Sequence, residues 1–556
     1  MDNHVFLEDN ERIHNFIQLT YINLSSTGAV PLRRLEDAYL AMEPIIHRKA
    51  AEWSLDCGAL YYAAMRLPLC VTKVQRVVLG QSESILEESG VPVSAWSEVF
   101  ARSRRRRYLF DGHDTLICFI ASKSDVDDII PLLLAFQIEW NKAHKMLSRA
   151  SLPESMPDNY SSQIELVSSL FGLETDDGKQ FVVAFQENLL DTLAEIKNRS
   201  MDLYVRNVEA SYTRYRRETE TWWRQIQTAC PGIEDRPVYF VSSNTHSLIN
   251  LLSGYAESNR SDILAYAASD PSLSSLVEYA PQAANSSLLY YLLMKYEQDD
   301  PSGARRAKRI AHEERSGISR IAVEKTLDIP AQVVDLKHLS ASVGEYDQRL
   351  SALANSNAMV LNIDYPLGRT AYFLLTTLAE HIATIRGVYV IGKAASLFGD
   401  RGDIIIPSSI IDQHTRNLYF FENCLAVTDV EPYLDAGVHA IYDNQKAVTV
   451  LGTFLQNQEM LSAFLSAGIT DLEMEAGPYL AAMYEIAKPK RYPEQETVSL
   501  RVPGVDLGII HYVSDNPLVG RHLDQPLELD GVDATYAATR AVLDRILSRE
   551  LLEEAK

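Results

Sequence analysis

The feature that most constrains the fold is a series of short apolar runs, rich in β-branched residues, that begins after Pro237. They are VYFVSS (Val238 to Ser243), QVVDL (Gln332 to Leu336), AMVLNI (Ala358 to Ile363), GVYVIG (Gly387 to Gly392), DIIIPSS (Asp403 to Ser409), AVTVLGTFL (Ala447 to Leu455), ITDLEME (Ile469 to Glu475) and DLGIIHYVS (Asp506 to Ser514). Helix-length segments such as Thr370 to Ile385 and Gln456 to Ala467 separate several of them. Strands apolar on both faces and alternating with helices predict an α/β fold, a mostly parallel central sheet flanked by helices, in the C-terminal half. Ligands of such folds sit at the carboxyl ends of the strands, so the polar residues that close each strand are the candidates for chemistry.

The chain of 556 residues is too long for one ordinary core. Residues 1–155 read as mainly helical, with apolar Leu35, Ala38, Tyr39, Met42, Ile45 and Ile46 at three- and four-residue spacing and one strand-like piece, Thr115 to Ser122. Two prolines among small polar residues make Ser151 to Ser162 a linker. Residues 160–232 read as a long helical segment, because Lys179 to Cys230 holds neither glycine nor proline. Its Tyr204, Tyr212, Tyr215, Trp222 and Trp223 need something to pack on, either the chain's own core or a sister subunit, and a homo-oligomer is the expectation. The α/β part then spans 236–556, with an insertion around 255–330.

A formal net charge of −23 argues against general binding to nucleic acid. The local exception is Arg104, Arg105, Arg106 and Arg107, with Arg102 just before. Such a run reads first as a solvated face and second as a grip on polyphosphate or an acidic partner. Five scattered cysteines without a CxxC pair, a first dozen residues unlike a signal peptide, and no apolar run near the roughly 20 residues that span a bilayer predict a cytoplasmic protein away from membranes.

Four strand ends carry candidate chemistry. In VSSNTHS, the residues Asn244, Thr245, His246 and Ser247 open a helix and offer either an anion site or a plain N-cap. In NIDYPLGRT, Gly368 permits close backbone approach and Arg369 could hold phosphate, or the pair is a turn with a surface arginine. In ITDLEMEAG, Glu475 is placed to accept hydrogen bonds from adjacent sugar hydroxyls with Met474 against the ring; the alternative is a carboxylate favoured by a helix N-terminus. In IIHYVSDNP, Asp515 leaves an apolar strand, where desolvation raises a carboxyl pKa and lets it donate a proton; the alternative is a turn-capping Asp-Asn-Pro.

The order of these segments resembles the nucleoside phosphorylase and nucleosidase superfamily, AMP nucleosidases in particular, over roughly residues 355–550. GVYVIGKAASLFGDRGDIIIPSS resembles its glycine-rich turn, with Gly392 in that turn; GTFLQNQEMLSAF lies where base-facing residues stand, Phe454 among them. LEMEAG holds the Met-Glu pair used against ribose, and VSDNPLVG, with Ser514 and Asn516 around Asp515, resembles the Ser-Asp segment that serves the purine. Departures are Ala394, Ala395 and Ser396 where glycine is usual, and Leu367-Gly368-Arg369 for Gly-x-Gly.

The resemblance implies hydrolytic cleavage of the N-glycosidic bond of a purine nucleotide or nucleoside. Asp515 would be the acid toward the purine and Glu475 the holder of ribose hydroxyls, with Arg369 and Asn244 to Ser247 on a phosphate. Alternatives are a phosphate-dependent nucleoside phosphorylase, and a catalytically silent nucleotide-binding sensor. No metal or organic cofactor is implied.

Overall fold

The computed structural model describes residues 10–208, 211–278, 286–321, 323, 326–343, 350, 352–434, 438–517 and 529–555. The first nine residues and the Leu518 to Gly520 end of the VSDNPLVG segment therefore lie outside the described residues.

Helices predominate in the N-terminal part, but they pack on a six-stranded sheet that the helical pattern did not announce. Its strands are β1 (Val30–Pro31), β2 (Arg76–Gly80), β3 (Ser97–Val99), β4 (Tyr108–Phe110), β5 (Thr115–Phe119) and β6 (Tyr204–Asn207), in the order β1-β6-β2-β5-β4-β3. The sheet is mixed: β6-β2-β5 run parallel, and β1, β4 and β3 pair antiparallel. The 25-residue helix Lys123–Leu147 follows β5, started by a capping box in which Ser122 and Asp125 satisfy each other's backbone N–H groups. The segment read as long and helical holds helices Tyr160–Phe171, Thr175–Phe185 and Leu189–Asn198, then strand β6 and helix Tyr212–Ala229. Tyr204 and Val205 become strand because β2 offers them a parallel partner, which overrides local helix propensity. Trp222 and Trp223 are fully buried within the chain itself, and the Trp222 indole N–H donates to the Ile329 carbonyl at 2.9 Å.

Eleven strands form the second sheet: β7 (Pro237–Ser242), β8 (Ile318–Ile321), β9 (Ala331–Asp335), β10 (Met359–Ile363), β11 (Thr384–Ser396), β12 (Ile404–Asp412), β13 (Asn417–Phe421), β14 (Ile441–Thr449), β15 (Asp471–Glu473), β16 (Thr497–Leu500) and β17 (Asp506–Asp515). The expected mostly parallel sheet is in fact mixed. Parallel pairs such as β7–β10, β7–β11, β11–β17 and β12–β14 stand beside antiparallel β8–β9, β9–β10, β11–β15, β12–β13 and β12–β17. The pairings β11–β15–β14–β12–β17–β11 close on themselves, a five-strand barrel at the heart of the sheet. A closed or doubly covered strand reads as a continuous apolar run whichever way it points, so direction was not readable from the pattern.

Period-two alternation sends side chains to two cores. Val238, Phe240, Val388 and Val390 face helices Arg369–His381 and Ala476–Ala487 and the N-terminal part; Tyr239, Val241, Ile391 and Ile510 face the C-terminal helix Leu529–Glu554. The first core is continuous with that of the N-terminal part, so the two parts share apolar packing.

Gly368 shows how closely the parts approach. It has φ of +52°, and a Cβ there would lie 2.2 Å from Ser124 Oγ and 2.6 Å from Ser124 Cβ, at the start of the helix Lys123–Leu147. Gly368→Ala is expected to cost about 2–4 kcal/mol, from left-handed strain plus the clash. A loss under about 0.5 kcal/mol in denaturant unfolding would contradict the contact.

Candidate active site

The ends of β15 and β17 meet at a cavity of about 290 Å³. Its lining includes Ser514 and Asp515 from β17, Met474 and Glu475 just past β15, Tyr365 to Leu367 after β10, Lys393 to Ala395 of β11, and Thr453 and Gln456. The N-terminal part supplies the rest of the wall, with Ile45, Ile46, Tyr62, Arg66 and the run Ser103 to Arg106.

Asp515 is set by a β-bulge. Opposite β11, Ala394 faces Val513 and Ala395 faces Asp515, so Ser514 is the extra residue that turns the carboxylate out of the ladder. Ser514 Oγ donates to Asp515 Oδ2 at 3.0 Å, and the buried Oδ1 has no hydrogen-bond partner among the described residues. Burial pushes the Asp515 carboxyl above the usual carboxylate range, against the pull of Lys393, Ser514, Arg401 and Arg66. A carboxyl of this kind keeps its proton longer and can hand it to a ligand.

Glu475 is the N-cap residue of helix Ala476–Ala487, but its side chain caps nothing. The capping falls to Glu473, whose Oε2 accepts from the backbone N–H groups of Glu475 and Ala476, both at 2.6 Å, and which also accepts from the Thr449 hydroxyl. Glu475 is thereby free to face the cavity, through which it is partly accessible, while its carboxyl lies deep enough that burial, and then the neighbouring Glu473, push its pKa up to about 8. Burial likewise pushes Glu473 up to about 7, against His511, Thr449 and the Ala476 N–H.

Behind both lies His511, 1% exposed, with Nδ1 at 2.7 Å from Asp471 Oδ2. Burial disfavours its imidazolium, but Asp471 first, then Glu473 and Glu475, outweigh that and raise its pKa to about 9. A lone histidine in an apolar strand gave no signal in the sequence, since only the barrel brings Asp471 beneath it. Gly392 serves this pair: a Cβ there would stand 3.0 Å from His511 Cδ2, so the glycine makes room for the imidazole and does not line the cavity.

Other expected residues stand elsewhere. Phe454 is buried against Tyr62 and Tyr39, with ring centroids at 5.4 Å and 6.4 Å, while its neighbours Thr453 and Gln456 reach the cavity. Asn516 is not part of the lining, whereas Pro517 is. Asn244 makes a turn that leads into a helix: its Oδ1 accepts from His246 N at 2.9 Å and Ser247 N at 2.6 Å, and the helix that follows has only seven residues, with His246 at its N-cap. The Thr245 carbonyl accepts from Gln332 at 2.7 Å, and Ser247 Oγ accepts from Thr539 at 2.9 Å. None of Asn244 to Ser247 lines the cavity. Arg369 lines a second cavity of about 650 Å³ with Tyr21, Lys123, Arg206 and Phe373, donating to the His414 carbonyl at 3.2 Å, and Gly368 is spent on contact with Ser124.

Among the described residues no cluster of His, Cys, Asp and Glu could hold a metal ion, and no helix is long and apolar enough to cross a membrane.

Solved structures similar to this chain include uridine phosphorylase from Schistosoma mansoni, 11% identical, with 57% of this chain and 88% of that one covered and a TM-score of 0.31. A second is the 5′-methylthioadenosine/S-adenosylhomocysteine nucleosidase of Neisseria meningitidis, 12% identical, covering 43% and 93% at a TM-score of 0.28. A third is a methylthioadenosine phosphorylase from an antarctic soil metagenomic library, 11% identical, covering 35% and 73% at 0.26. No curated protein matches the chain. The sequence matches a family model from residue 32 to residue 548, a span that takes in both walls of the cavity, and the chain belongs to that family, the family of unknown function DUF6909.

Proposed function

We propose that this protein cleaves the N-glycosidic bond of a purine nucleoside or nucleotide by hydrolysis. The observation that carries the reading is the convergence of Asp515, Glu475 and Met474 on one cavity, at the ends of two strands of the barrel. In such a reaction the C1′–N9 bond breaks with its electron pair going to the purine, and C1′ acquires oxocarbenium character. Asp515 supplies a proton or hydrogen bond at N7, so the base leaves neutral; burial of its carboxyl favours this role. Glu475 accepts hydrogen bonds from the ribose hydroxyls, and Met474 packs against the sugar. Water adds to C1′, and the proton it loses restores Asp515. With phosphate in place of water as the attacking group the same steps would make the protein a phosphorylase of purine nucleosides.

The test is to incubate the full chain with AMP, adenosine and inosine, with and without inorganic phosphate, and to follow free base by chromatography. Base release without phosphate supports hydrolysis, and release only with phosphate supports phosphorolysis. Nucleotide binding without any release would reject cleavage in favour of a silent nucleotide sensor.

A further inference from the structure

The arginine run is not the solvated face that a run of like charges suggests. Arg104 and Arg106 have side chains only 6% and 5% exposed, and with Arg105 and Arg66 they line the cavity that holds Asp515 and Glu475. The carboxylates of Asp125 and Asp128 line the same cavity beside them, yet some guanidinium donors have no hydrogen bond among the described residues. Arg104 Nη2 donates to the Phe119 carbonyl at 3.1 Å, but its buried Nη1 has no hydrogen-bond partner among the described residues. Arg106 Nη1 donates to the Asp328 carbonyl at 2.9 Å, and its buried Nε is likewise without a hydrogen bond.

The carboxylate between them, Asp125, stands 3.8 Å from Arg104 and 3.4 Å from Arg106. Its Oδ2 accepts from the backbone N–H groups of Ala121 and Ser122 at the start of a helix, while its Oδ1 faces both guanidiniums at ion-pair distance without a hydrogen bond among the described residues. Arg105, half exposed, pairs with Asp364 at the end of β10 and lies over the Tyr365 ring at 4.7 Å, which holds its guanidinium at the cavity. Three guanidiniums lining one cavity, one of them half exposed, favour a dianion with three acceptor oxygens as its occupant.

We infer that Arg104, Arg105 and Arg106 form a phosphate-binding wall of this cavity, in the place the sequence suggested for Arg369. The N-terminal part thereby completes the site of the C-terminal part. The phosphate is either the 5′-phosphate of a nucleotide or inorganic phosphate beside a nucleoside. The inference rests on the glycosidic reading only for the identity of the rest of the ligand.

The experiment is calorimetric titration of the full chain with AMP, with adenosine and with inorganic phosphate, on wild type, Arg105→Gln and Arg104→Lys, with melting curves to confirm that each variant is folded. Arg105 is half exposed, so its replacement leaves the core intact. AMP binding at least about tenfold tighter than adenosine, with that ratio cut about tenfold by Arg105→Gln, supports the wall and assigns it to a nucleotide. Saturable binding of inorganic phosphate that Arg105→Gln weakens about tenfold, without preference for AMP, supports the wall and assigns it to free phosphate. Equal affinity for AMP and adenosine with no phosphate binding overturns it, as do phosphate-dependent affinities that both variants leave unchanged, or no binding of any of the three. Arginine-dependent binding of AMP without base release would remove the glycosidic reading and keep the wall. Base release from adenosine, indifferent to phosphate and to both variants, would do the reverse.

Discussion

Asp515→Asn is expected to lower release of free purine at least about a hundredfold, the usual worth of a general acid. The amide keeps the shape of the carboxyl and can still accept from Ser514, but it has no proton to transfer to N7. A structural explanation of the same loss is excluded by changing the leaving group. A riboside of 4-nitrophenol needs no protonation to depart, so Asp515→Asn should turn it over within a fewfold of wild type. Equal loss on both substrates would show that the residue shapes the pocket instead of supplying a proton. Stability gives a second check. Asp515 Oδ1 is buried without a hydrogen bond among the described residues, and burial raises the pKa of its carboxyl, so the neutral amide should leave the melting temperature unchanged or slightly higher at pH 8.

The parts of this arrangement that were legible in the sequence are those fixed by neighbours along the chain. Strands such as Pro237–Ser242 and Met359–Ile363 appear where apolar β-branched runs demanded them, and Asp515 and Glu475 stand at strand ends because the apolar pattern stops there. What depends on distant partners was not legible. β6 is a strand through its pairing with β2, in which Tyr204 meets Arg76 and Val205 meets Val77 from far away in sequence, and nothing in its own residues opposes a helix. Arg104 and Arg106 are buried because Asp125 and Asp328 come to meet them, and a run of four arginines alone says nothing of either. Arg369 follows a strand, as a phosphate-binding residue would, yet the face of its helix points it to the second cavity; a dipeptide carries no information about face. Glu473 and Glu475 share one side of a strand end, and only the structure distinguishes the helix cap from the carboxylate that is free to meet a ligand.

That distinction makes Glu475→Gln the variant with opposite expected effects on activity and stability. Above pH 8, where Glu475 is a carboxylate, the amide accepts through one oxygen and presents an N–H₂ group where the second ribose hydroxyl would donate, so kcat/KM for base release measured there should fall about tenfold to a hundredfold. Stability should move the other way, with a definite pH dependence. Glu475 has its pKa raised to about 8 by burial and by Glu473, whereas in the unfolded chain it titrates near the ordinary glutamate value. Between those values the folded state holds the proton that the unfolded state has released, so folding stability falls as pH rises, and the penalty is complete above the folded pKa. Glutamine carries no such penalty. The variant should therefore match wild type below about pH 4 and gain on it steadily toward pH 8, by on the order of 2–3 kcal/mol once solvent reaching the carboxyl through the cavity is allowed for. Unfolding by urea at pH 4, 6 and 8 measures the difference directly. A loss of stability at pH 6 and 8 in place of the gain would mean that Glu475 is ionised in the folded state and held by the His511 imidazolium. The buried carboxylate would then be a structural ion-pair partner of His511, not a group kept ready for sugar hydroxyls.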